Sequence, residues 1–303
     1  MQSNVGIRLR VRYSKLGKVR FVSHRDGARL WERALRRVDL PVAYTEGFTP
    51  RPKVGFGLAL PTAAESIAEY VDLDLSRDAD LDPADPGWDD WLHDLTASIS
   101  DALPSGMDAM AIAERSADVA SLQEQVTSTT WELSGWEVAG QGLVPDSLDD
   151  ALQRVLAADE LLVERERKGQ RRTDDVRPLI RDLTTRHDEG RTTVVADLVT
   201  IGRALRPAEL AELMCTGVDG TSIRVRRTHQ WIDHDGERRE VIPLERHVTR
   251  TNEDERERTV VEHRHSDRTA VEDPGVEDPA LEAGERRRVA RAGSGGQAER
   301  RSG

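Results

Sequence analysis

From Val5 the chain alternates apolar and polar positions, with Val5, Ile7, Leu9, Val11 and Tyr13 separated by Gly6, Arg8, Arg10 and Arg12. A period of two sends alternate side chains to opposite faces, so this run predicts a half-buried strand whose outer face carries three arginines. The period then changes. Ser23 and Asp26 have capping-box spacing, and Leu30, Trp31, Ala34, Leu35 and Val38 recur at helical intervals, which predicts a helix over 23–38. After it come a short extended piece at 42–44, a loop rich in Gly and Pro, a strand near 53–60, and another near 68–75, where Val71, Leu73 and Leu75 alternate with Asp72 and Asp74. Pro83, Pro86 and Gly87 then precede a helix with an apolar stripe of Trp88, Trp91, Leu92, Leu95, Ile99 and Leu103, and a strand over 107–113 closes the set.

The same order recurs more weakly. A strand around 126–135, a helix opened by Ser147 and running to about 158, and strands at 160–167 and 190–200 are followed by a short helix beginning at Pro207 and a strand over 221–228. IRLRVRY at 7–13 and IRVRRT at 223–228 both alternate arginine with apolar residues. The predicted fold class is α+β: two ferredoxin-like βαββαβ modules in tandem, 1–118 and 119–232, with a C-terminal tail over 233–303. The tail has no aromatic residue and carries 18 acidic and 14 basic side chains. That composition buries too little apolar surface to offset chain entropy, so disorder is expected there, apart from one short strand around Val241 to Leu244.

Composition changes this picture in three ways. The chain of 303 residues has a net charge of −12, yet residues 1–60 hold 13 Arg and Lys against 4 acids, and residues 61–110 hold one Arg against 13 acids. The protein is acidic with a basic end. Cys215 is the one cysteine, which rules out an internal disulfide and any cluster needing several thiolates from this chain. The N-terminus lacks the apolar stretch of a signal peptide, and no apolar run reaches the roughly 20 residues of a bilayer span. A cytoplasmic protein without a membrane partner is expected.

At about 100° per residue, Arg25, Arg29, Arg33, Arg36 and Arg37 fall within an arc of about 120° on the first helix, clear of its apolar stripe. Of the acids on that helix, Glu32 is free of capping and is expected to project away from this arc. An ordinary solvated face is the bland alternative. The loop YTEGFTPRPKVGFGLALP at 44–61 adds Arg51 and Lys53 between Phe48 and Phe56, and the first strand and its turn add Arg8, Arg10, Arg12, Lys15, Lys18 and Arg20. Arginine reads phosphate bidentately and aromatic rings stack on bases, so RNA is a natural partner; an acidic protein would use the same charges. The candidate binding residues are Arg25, Arg29, Arg33, Arg36, Phe48, Arg51, Lys53 and Phe56.

His24, in the first helical turn, is either a packed or capping histidine or an imidazole able to move a proton, but no second residue is fixed as its partner. KGQRRTDDVRPLI at 168–180 reads as a charged hairpin, in which the adjacent Asp174 and Asp175 point to opposite faces. No phosphate-binding glycine motif, local nucleophile signature or metal-ligand spacing occurs.

Residues 18–75 resemble the radical-SAM-associated protein family, a domain of unknown function that occurs fused behind a radical SAM enzyme or as a separate chain. Phe21, Ser23, His24, Asp26, Glu32, Arg36, Arg37, Pro41, Gly47, Phe48, Pro50, Pro52, Glu65, Glu69 and Tyr70 stand where its motif has them. KGQRRTDDVRPLI resembles its second signature. Thr49 and Arg51 replace frequent Asn and His, and Arg25 a common Leu. The resemblance implies a radical SAM enzyme as partner, with the iron–sulfur cluster and S-adenosylmethionine bound there and no cofactor in this chain. The leading expectation is a non-catalytic accessory protein that presents RNA to that enzyme. The alternatives are an RNA-processing enzyme using His24, and a structural adaptor.

Overall fold

In β1 (Val5–Lys15) Leu9, Val11 and Tyr13 pack into one core with α1 (His24–Arg37) and α2 (Trp88–Ala102), which contribute Trp31, Ala34 and Leu35, and Leu92, Leu95 and Ile99. The computed structural model describes residues 5–116, 120–136, 148–167, 169–189, 191–215 and 217–244. β1 pairs antiparallel with β4 (Ala109–Glu114) on one side and with β3 (Glu65–Ser76) on the other, and β2 (Val54–Phe56) pairs antiparallel with β3 opposite Val71 to Leu73. The order is therefore β4-β1-β3-β2. In the second half, β5 (Val126–Ser134), β8 (Ile180–Asp188), β9 (Arg191–Val199) and β10 (Arg224–His234) stand in the order β10-β5-β9-β8, again with antiparallel neighbours. α4 (Leu148–Ala157) and α5 (Pro207–Met214) pack Leu152, Val155, Leu210 and Met214 against Trp131, Leu133, Val194, Ala196 and Leu198 of that half.

The halves share one sheet. β10 runs parallel to β3 where Arg226 and Arg227 face Glu65 and Ser66, giving a nine-stranded mixed sheet. At this seam Arg227 is buried and donates from Nε to Glu69 Oε1 at 3.0 Å and from Nη2 to the Leu58 carbonyl. Arg226 and Arg20 both pair with Glu65. A second face of the sheet is closed by α3 (Leu122–Gln125) and residues 241–244, where Leu122, Ile232 and Ile242 pack with Ala68, Tyr70 and Ala111.

Three expectations are corrected. The strand expected at 160–167 forms as β6 (Leu162–Arg167), but it pairs with β7 (Gln170–Asp175) in a separate two-stranded hairpin, and β8 takes the place in the main sheet. The outer face of β1 is not a cationic surface. Arg10 is 6% exposed and donates to both carboxylate oxygens of Asp72 at 2.6 and 3.0 Å, and Arg8 faces Asp74 at 3.7 Å. Arg12 is 1% exposed, pairs with Glu240, and donates to the carbonyls of Ile67, Thr228 and Ile242. The ladder explains this: Arg8 and Arg10 stand opposite Asp74 and Asp72 on β3, so the basic and acidic blocks of the sequence meet strand against strand. Lys15 is buried as well and holds the Val22 carbonyl.

The third correction concerns residues 233–244, assigned from composition to a disordered tail with one short strand around Val241 to Leu244; the strand lies instead at 237–240. β10 continues to His234, β11 (Glu237–Glu240) pairs back on it, and Ile242 is buried. Ser147, the expected helix opener, and the rest of the tail from 245 lie outside the described residues.

Candidate arginine face and aromatic loop

The apolar stripe of α1 faces the sheet because Trp31, Ala34 and Leu35 are buried there, and this leaves Arg25, Arg29, Arg33, Arg36 and Arg37 exposed on the opposite side. The helix begins at a true cap: the Ser23 hydroxyl accepts from the Asp26 backbone N–H and donates to the Asp26 carboxylate at 2.7 Å. Hydrogen bonding from Ser23 and the charges of Arg29 and Arg25 hold the Asp26 carboxyl below its ordinary range, despite the opposing effect of desolvation. Arg29 pairs with Asp26 at 3.0 Å, whereas Arg25, Arg33, Arg36 and Arg37 form no ion pair among the described residues. Arg33 and Arg36 instead lean back along the helix, donating from Nε to the carbonyls of Arg29 and Glu32.

Val22, Asp26, Arg29, Leu30, Glu32, Arg33 and Arg36 line an open groove of about 560 Å³ along this side. Glu32 therefore does not project away from the arginines. On a helical wheel it stands about 20° beyond Arg25, bordering the arc. The groove offers three guanidinium groups against two carboxylates, so a ligand with several spaced anionic groups suits it better than a single compact anion.

The remaining expected residues divide. Phe56, on β2, packs edge-on against the His24 ring with centroids 5.4 Å apart, which ties the start of α1 to the sheet edge. Among the described residues the His24 imidazole has no hydrogen-bond or charged partner. Phe48 is fully exposed at the tip of a narrow excursion closed by the Tyr44–Pro52 bridge and by reciprocal bonds between Thr45 and Arg51. Gly47 in this tip has φ +127, a conformation that favours glycine. Lys53 exchanges backbone hydrogen bonds with Ala43 and Asp74 at the foot of the loop. Neither Phe48, Arg51 nor Lys53 lines the α1 groove. One exposed ring was missed by sequence reasoning: Phe21, beside the groove residue Val22, with the Arg20 guanidinium 4.7 Å above it.

The KGQRRTDDVRPLI segment is clasped internally. Asp174 meets Arg165, Arg172 and Arg203, and Arg165 also pairs with Glu209 of α5. The Leu161 and Arg177 backbone N–H groups donate to Asp175 and lower its pKa. These carboxylates are occupied by structure. No group of three or more His, Cys, Asp or Glu among the described residues is placed to hold a metal ion, and no helix there is long and apolar enough to cross a membrane.

No curated protein matches the chain. A family model described as "uncharacterized protein conserved in bacteria (DUF2344)" matches residues 8–207, a span that includes α1, the aromatic loop and the β6–β7 hairpin. Two thirds of the sequence thus follow one pattern, and the chain belongs to this family.

Proposed function

We propose that this protein is a non-catalytic accessory protein of the cytoplasm that binds RNA along the arginine face of α1 and presents it to a separate radical SAM enzyme. The carrying observation is a contrast between two sets of arginines. Those of β1 are consumed by internal pairs with Asp72, Asp74 and Glu240, whereas those of α1 stand exposed in a row with one side-chain ion pair among the described residues. A row of guanidinium groups spaced by helical turns suits successive phosphates of a single strand. The radical SAM partner rests on the resemblance of residues 18–75, and the cluster and S-adenosylmethionine belong to that partner. An RNA-processing role for His24 is disfavoured because its ring is engaged by Phe56 without a polar group to take or supply its proton. The two halves, whose main-sheet strands both stand in the order 4-1-3-2 with the β6–β7 hairpin inserted in the second, are read as tandem ferredoxin-like modules.

The test is Arg29→Glu with Arg33→Glu, assayed separately against single-stranded RNA and against the radical SAM enzyme. RNA affinity is expected to fall at least tenfold with enzyme binding retained. Retained RNA affinity with lost enzyme binding supports the adaptor instead.

A further inference from the structure

A second apolar depression lies where the end of α1 meets α2. It is lined by Val38, Leu40, Pro41, Leu81, Trp91 and Leu95, with Asp39 and Asp80 exposed on its lips. Trp91 is stacked on Trp88 at 4.8 Å, which fixes one wall. Such a groove calls for an apolar knob with a cation beside it. Phe48 has that form: its ring is fully exposed, its hairpin is pinned by the Tyr44–Pro52 bridge, and Arg51, exposed and without an ion pair among the described residues, follows three positions later. Glu46, two positions before Phe48, adds a carboxylate to the loop, which counts against phosphate at its tip.

We propose that the chain forms a two-fold dimer in which Phe48 of each copy fills the groove of the other and Arg51 faces Asp80 on its lip. Knob and groove are joined through Pro41, which lines the groove, accepts a hydrogen bond from Ser76 N–H and leads into the loop. A two-fold axis near this point would form both contacts at once, as a self-complementary interface requires.

Sedimentation velocity of the full chain over a range of concentrations tests this. The wild type should show a concentration-dependent dimer. Phe48→Ala should weaken association at least about 30-fold, as expected for a central aromatic anchor, without lowering the melting temperature at concentrations where the wild type is also monomeric, because the ring is fully exposed in its own chain. Leu81→Arg should act likewise from the groove side. Arg51→Glu should weaken the dimer, and Asp80→Arg in the same chain should restore it. A protein that stays monomeric up to millimolar concentration, or a dimer indifferent to Phe48→Ala, overturns the proposal. Either result leaves the RNA reading of α1 to its own test.

Discussion

His229 lies on β10 with its ring stacked on Trp231 at 5.0 Å, and Arg238 covers the indole 4.2 Å from its centre. Burial, then the positive charges of Arg12 and Arg238, lowers the His229 pKa from its ordinary value, while Glu132 and Asp197 oppose this. In the unfolded chain His229 titrates near about 6.5. Between that value and its lower folded pKa the unfolded state binds the extra proton, so stability is full above about pH 6.5 and falls as the pH drops. His229→Gln should therefore flatten the decline in denaturant midpoint between about pH 7 and 5, measured against the wild type; parallel curves would show that another group governs it. Residues of this kind were hardly legible in the sequence. Arg10, Arg12 and Arg33 have identical side chains, but the first two meet Asp72 and Glu240 only through strand register and a return of the chain 228 positions later, whereas Arg33 is kept outside by the period of its own helix. Local periodicity identified the exposed arginines and could not identify the buried ones.

At the scale of elements, legibility followed the strength of the apolar pattern. α1, α2, β1 and β3 each bury a regular stripe and were read close to their observed bounds. β8 was missed because, of IRDLTTRHD, only Ile180 and Leu183 are buried: it is the edge strand of its half and exposes most of its length. β6 was misassigned because Leu162 and Val163 look like core, although Leu162 is exposed. The β11 strap was hidden in a charged stretch, since its grip is by ion pairs. Arg238 reaches across Trp231 to Asp197 and Ser128, and Glu240 meets the buried Arg12. Ending the chain after Leu244 keeps these contacts, and its melting temperature should match the full chain. Ending it after Gly236 leaves Arg12 without Glu240 and the Ile242 carbonyl, which should cost about 3–5 kcal/mol in equilibrium unfolding. Equal stability of the two truncations would mean that the strap is dispensable.

Over the whole molecule, a net charge of −12 coexists with an exposed cationic helix because the sheet cancels the three arginines of β1 internally and leaves those of α1 outside. This separates arginines that hold the fold from those available to a ligand. If the α1 face binds RNA phosphates, the affinity must depend on salt through the counterions released, with a slope of roughly −0.7 per phosphate neutralised on a single strand. The most direct measurement is that slope, taken from RNA affinity of the full chain at several salt concentrations, for the wild type, Arg33→Ala and Arg36→Ala. The account predicts a wild-type slope of about −2 to −4, reduced by about 0.7 in each variant with thermal stability unchanged. A slope near zero, or one that neither substitution alters, would contradict it.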